Sequence, residues 1–198
     1  MEEIKQIRQL LERERPVSWD ELPDLALYMD QIISYMPRQL INLQGDEQVT
    51  PAMVNNYIKD GLVPRADGKR YGKQHLGYLT AVCAMKKVLS VKDMRTMLDG
   101  VPEWKQPEAI YNYFTKAIDI ALNEAADKLD VDTPEDELPN LALNLGLCSY
   151  ANQLACQRVL ELMQSRQKAE QEQAEKKKEK EKKDKEKKDK DKEKKDHE

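Results

Sequence analysis

From residue 168 to residue 198 the chain carries 14 Lys and 12 Asp or Glu with scarcely an apolar side chain among them. A segment that buries nothing cannot offset the entropy of ordering its backbone against a core. Whatever folds compactly must therefore do so within roughly the first 165 residues, enough for about one ordinary domain. Pairs such as Glu179 with Lys183 and Glu181 with Lys185 favour helix locally. The run reads as a solvated, largely disordered tail, with a long exposed helix as the alternative.

The tail's charges nearly cancel, and the body of residues 1 to 166 holds 19 basic against 25 acidic side chains. A globally basic nucleic-acid binder is excluded. Locally the sign reverses, because residues 59 to 95 contain nine Lys or Arg and only Asp60, Asp67 and Asp93. No stretch approaches the roughly 18 consecutive apolar residues of a membrane span, and Met1-Glu2-Glu3 lacks the basic-then-apolar order of a signal peptide, so a cytoplasmic protein without a membrane partner is expected. Cys83, Cys148 and Cys156 have no Cys-x-x-Cys spacing and read as small buried hydrophobes. With two histidines, one of them in the tail, no His-based catalytic pair or His-rich metal site can be assembled. No nucleophile–base pair, phosphate loop or metal cluster is visible, so neither an enzyme nor a cofactor is expected.

Apolar spacing predicts a mostly helical chain. Residues 2 to 14 form a weakly amphipathic helix stopped by Pro16. Ser18-Trp19-Asp20-Glu21 has capping-box spacing with Pro23 in the first turn, which predicts a helix opening there, with Leu25, Tyr28, Ile32 and Tyr35 on one face and a break at Pro37. A second piece, Arg38 to Leu43, meets the Gly45-Asp46 turn. Thr50-Pro51 opens a short helix ending at Gly61, with Val54, Tyr57 and Ile58 inward. Asp67-Gly68 between basic residues signals a hairpin over Pro64 to Tyr71. Helices follow from Lys73 to Val88, from Ser90 to Gly100, from Pro107 with Ile110 and Phe114 in its stripe, and from Asn140 after an acidic loop at 130 to 137. The segment 20 to 27 recurs almost unchanged at 136 to 143, which reads as two independent helix starts rather than a repeat.

The stretch from Thr50 through Asn55-Asn56-Tyr57-Ile58-Lys59 and Gly61-Leu62 to Arg70-Tyr71 resembles the DNA-binding domain of MerR-type winged-helix regulators. In that family a short second helix ending in Gly-Leu is followed by a basic wing, an aromatic and two helices. Leu22-Pro23, Leu27-Tyr28-Met29-Asp30-Gln31 and Val54 to Lys59 are similar, more closely, to an uncharacterised bacterial domain-of-unknown-function family of the helix-turn-helix group, over about residues 19 to 100. The resemblance implies a mainly α winged helix-turn-helix with a small β-hairpin wing over residues 19 to 100; outside it, the residues themselves read as an N-terminal helix at 1 to 18, a C-terminal helical region at 101 to 167 holding a helical pair, and the charged tail at 168 to 198. It implies transcriptional regulation through double-stranded DNA.

Elementary chemistry runs the same way. Asn55 and Asn56 could pair with adenine edges, and Thr50 at a helix N-terminus could meet a phosphate. Lys59, Arg65, Lys69, Arg70 and Lys73 would neutralise backbone charge, and Tyr71 would pack the wing onto the core. A one-helix reader needs two half-sites, so a homodimer through the C-terminal helices is expected. Trp104, Tyr111, Tyr113 and Phe114 form an aromatic cluster suited to core, interface or pocket. The alternative function is a helical protein–protein interaction module without DNA binding, which the acidic body would suit.

Overall fold

A computed structural model describes residues 2–39, 48–100 and 106–195. Seven α-helices account for most of them: α1 (Glu2–Arg13), α2 (Met29–Tyr35), α3 (Pro51–Lys59), α4 (Lys73–Met85), α5 (Val91–Asp99), α6 (Pro107–Asp127) and α7 (Leu138–Lys195). The chain divides into two compact units, Met1–Ala155 and Cys156–Glu198, so that α7 begins in the first and continues as the second.

The expected helix starts are formed by the side chains that signalled them. Thr50 Oγ1 accepts from the Met53 N–H at 3.3 Å with Pro51 in the first turn, Ser90 Oγ accepts from the Asp93 N–H at 3.1 Å, and Pro107 opens α6. Inward faces follow the periodicity. Val54 and Tyr57 of α3, Leu76, Leu79, Val82 and Cys83 of α4 and Met94 of α5 are buried together with Ile32 and Met36 at the end of α2.

The helix expected from Ser18 does not form. Glu21 does accept from the Ser18 N–H and hydroxyl, at 3.0 and 2.8 Å, and those bonds hold its carboxyl below the usual range. They close only a turn. Pro23 disfavours helical geometry at Leu22, and Leu27 exchanges both backbone hydrogen bonds with Tyr71 at 2.9 Å. A long-range pairing thus keeps residues 23–28 out of helix and delays α2 to Met29, where Gln31 Oε1 accepts from the Tyr28 N–H at 2.8 Å. Leu25, expected on the inward face, is exposed.

The wing is likewise reduced. Asp67 and Arg70 form one isolated antiparallel bridge around Gly68-Lys69, with Gly68 at φ +61°, the glycine-first pattern of a two-residue hairpin turn. No strand occurs among the described residues. The returning arm has no room for a ladder, since Gly72, two residues beyond Arg70, is already the N-cap of α4. The result is mainly helical, with a basic turn where a β-hairpin wing was expected.

The first unit is closed by α6, whose main partners are α1 and α4 rather than the final helix expected to pair with it. Arg8 lies 3.8 Å from Asp127 and donates to the Leu129 carbonyl at 3.3 Å, whereas Arg15 pairs with Asp119 at 2.6 Å and Asn123 at 2.9 Å. Earlier residues meet later ones, so the N-terminal segment runs antiparallel along α6. Against α4, a Cβ at Gly77 would stand 3.2 Å from both Trp19 and Tyr111, so a larger residue there would need both rings to give by a few tenths of an ångström. Their centroids are 5.8 Å apart.

In α7, Leu141 and Leu145 are half-buried, while Leu143, Leu147, Tyr150 and Leu154 are exposed. Helix persists through the charged run as far as Lys195, the alternative rather than the disordered reading. Cys148 is exposed, not buried as expected; Cys83 is buried, which pushes its thiol up to about 11. Trp104, the Gly45-Asp46 turn and most of the expected Arg38 to Leu43 helix lie outside the described residues.

Candidate functional site

The side chains singled out from sequence sort by what already holds them. On α3, Asn55, Asn56 and Lys59 are exposed because Val54 and Tyr57 occupy the buried positions of the same turns. Thr50 is exposed as the N-cap, its oxygen turned onto the helix. Tyr71 is only 7% exposed and meets His75 edge to face at 5.4 Å, so it serves as packing.

The five cations divide into two groups with Lys69 between them at the turn. Lys59 and Arg65 are exposed and line one cleft at the C-terminal end of α3. Arg70 and Lys73 are instead engaged with the segment before α2. Arg70 donates from Nη2 to the Tyr28 hydroxyl at 3.2 Å and lies 5.2 Å from that ring's centroid. Lys73 donates to Asp24 at 3.0 Å and sits 5.4 Å from the Trp19 ring. Neither Lys59, Arg65 nor Lys69 makes an ion pair among the described residues.

Two residues that sequence reasoning passed over position this surface. His75, in the first turn of α4, accepts the Gly72 N–H on Nδ1 at 2.9 Å and bonds the Arg65 carbonyl through Nε2 at 3.2 Å. Nδ1 must be bare to accept, so Nε2 carries the proton and donates. One ring therefore spans both ends of the basic turn. Its signal in the sequence is slight, a polar residue three places after Gly72, where a reciprocal cap belongs.

Arg95 of α5 is the second. Its Nη1 donates to the Gly61 carbonyl at 2.7 Å and its Nε pairs with Asp99 at 2.9 Å. Gly61, at φ +72°, turns the chain out of α3 in a conformation other residues rarely adopt, and a Cβ there would strike the Arg95 guanidinium. The Gly-Leu pair read as part of a family frame thus has a local cause: a left-handed exit, a carbonyl held by arginine and Leu62 buried behind it.

No group of three or more potential metal ligands lies together among the described residues. No helix of the described residues is long and apolar enough to cross a membrane. Beyond the expected boundary at residue 100, Ile110 and Tyr111 of α6 are buried and Tyr111 donates to the Val17 carbonyl. No curated protein and no solved structure matches the chain. Residues 17–114, the span that Val17 and the first two turns of α6 close on each other, match the model of the family described as Domain of unknown function (DUF1836).

Proposed function

We propose that the chain binds double-stranded DNA as a regulator of transcription, meeting the duplex with the outer face of α3 and the basic turn that follows. The observation carrying this reading is the arrangement of α3 and its exit. Asn55, Asn56 and Lys59 face outward over a buried Val54 and Tyr57, with Lys59 and Arg65 making no ion pair among the described residues beside the helix end. Asn55 and Asn56 would read base edges, and Lys59, Arg65 and Lys69 would neutralise phosphates. Arg70 and Lys73 would act chiefly by holding the turn.

A homodimer belongs to the same reading. Residues 138 to 157 contain no charged side chain in a chain that is 35% charged, and Leu143, Leu147, Tyr150 and Leu154 are exposed at spacings of four, three and four. That spacing would suit the seam of a helix pair. In sedimentation, Leu147→Glu would convert the dimer to monomer.

The decisive experiment selects binding sites from random duplexes at moderate salt. On an enriched site, Asn55→Ala or Asn56→Ala should cost roughly 1 to 3 kcal/mol and leave non-specific binding intact. Lys59→Gln with Lys69→Gln should weaken all duplexes and lower the salt slope by about one unit per lost contact. No enrichment and no salt-dependent retention of any duplex would overturn the proposal. The second reading, a helical protein-interaction module, would then stand, favoured by the same exposed face of α7 and by the engagement of Arg70 and Lys73 within the chain.

A further inference from the structure

The cleft at the end of α3 has a chemistry that the contacts of a DNA backbone would not use. It has a volume of about 440 Å³ and lies between the last turn of α3, the Gly61–Arg65 turn, Tyr78 of α4 and the end of α5. Small-molecule sites fall in the same range of volume, roughly 300 to 1,000 Å³. Its lining is mixed: Ile58, Pro64 and Leu98 give it apolar surface over the buried Leu62 and Val63, and three cations stand at it against one carboxylate, Lys59, Arg65 and Arg95 against Asp99.

The polar groups are unevenly committed. Arg95 spends Nη1 on the Gly61 carbonyl and Nε on Asp99, which fixes the guanidinium plane and leaves Nη2 without a partner among the described residues. Lys59 and Arg65 make no ion pair there. Tyr78 is half-buried, and that burial raises its phenol above the ordinary value. A fixed guanidinium, two exposed cations and the apolar surface of Ile58, Pro64 and Leu98 suit a ligand with one anionic head and an apolar body.

We propose that this cleft binds a small amphipathic anion, a carboxylate or phosphate monoester on an apolar group, with the head between Lys59, Arg65 and Arg95 and the body against Ile58, Pro64 and Leu98. Bound there, the ligand occupies two cations that the DNA reading also uses, so it would compete with a duplex. Only this competition rests on the proposed function; the binding itself does not.

The test uses 1-naphthyl phosphate as the probe and inorganic phosphate as its head alone, each titrated into the full-length ¹⁵N-labelled chain without DNA. The expected result is saturable shifts of the amides of Gly61 to Val63, Arg65 and Arg95 to Asp99, at least about tenfold tighter for the naphthyl ester than for phosphate. Lys59→Gln with Arg65→Gln, both exposed, should weaken the ester by about tenfold or more while leaving the amides of α6 in place. Leu98→Asp should abolish binding. The proposal is overturned by absence of saturation at these amides up to about 10 mM, by equal affinity for ester and phosphate, or by a double variant that binds like the parent. A separate titration in the presence of a selected duplex reads the competition. Ester binding that leaves the duplex undisturbed overturns the overlap alone.

Discussion

The hydroxyl of Tyr111 donates to the carbonyl of Val17 at 2.7 Å, joining the two ends of the segment from residue 17 to residue 114 through one buried ring. The same oxygen lies 3.2 Å from Gln39 Oε1, and the buried Gln39 Nε2 has no partner among the described residues. A hydroxyl has one proton, committed here to Val17. Turning the Gln39 amide over lets Nε2 donate to the tyrosine oxygen and puts Oε1 in the position that Nε2 held. Tyr111→Phe should therefore cost about 1 to 2 kcal/mol and Tyr111→Ala about 3 to 5 kcal/mol in urea unfolding. A chain ending at residue 100 should fail to fold, because Ile110 and Tyr111 are missing from its core.

At Gly61, Ala meets both a left-handed φ and the Arg95 guanidinium. Gly61→Ala should destabilise by roughly 1 to 2 kcal/mol or more. Arg95→Met in the same background should cost less than it does alone, since the alanine has already displaced the arginine. Additive losses in that double-mutant cycle would show that the two residues act separately.

His75 tests whether the basic turn is held from α4. Glutamine at the third helical position can return the same cap, its oxygen to the Gly72 N–H and its nitrogen toward the Arg65 carbonyl. His75→Gln should keep most of the stability, and His75→Ala should lose about 1 to 3 kcal/mol. Hydrogen exchange at Gly72 should speed up in the alanine variant before it does elsewhere in α4.

How much of this was legible beforehand depends on the distance over which each signal acts. Thr50-Pro51, Ser90 and Pro107 announce helices through partners within three residues, and all three starts are formed. The buried face of α4 follows from its own period. By contrast, Ser18-Trp19-Asp20-Glu21 is equally well spelled and loses to Tyr71, which claims the backbone of Leu27 from far along the chain. The site divides in the same way. Outward Asn55, Asn56 and Lys59 follow from the inward Val54 and Tyr57, whereas Arg70 and Lys73 are engaged by Tyr28 and Asp24, 42 and 49 positions away. Residues so far apart leave no periodicity to read.

Thiol reactivity gives a check on burial that needs no substitution. With Cys83 pushed up to about 11, the thiolate fraction at pH 8 is only about one in a thousand, and the side chain is buried besides. Native protein titrated with a disulfide reagent at pH 8 should react first at the exposed Cys148 and last at Cys83, which should become available only with denaturant.

Because the compact first unit ends at Ala155, removal of residues 168 to 198 should leave its melting temperature within about 3 °C. Circular dichroism should lose helix in proportion to the residues removed. A larger drop in melting temperature would show that the charged helix docks.

The basic turn is fastened at three places, by the Leu27 backbone, by His75 across its ends and by Tyr28 under Arg70. A loop held this way does not have to search for a shape when a charged partner arrives. Its encounters are limited by diffusion and orientation rather than by a folding step, and little freedom remains to be lost on contact. Association rates should then rise with falling ionic strength and depend weakly on temperature, whereas a turn freed by His75→Ala should show slower, more temperature-sensitive association with the same charges in place.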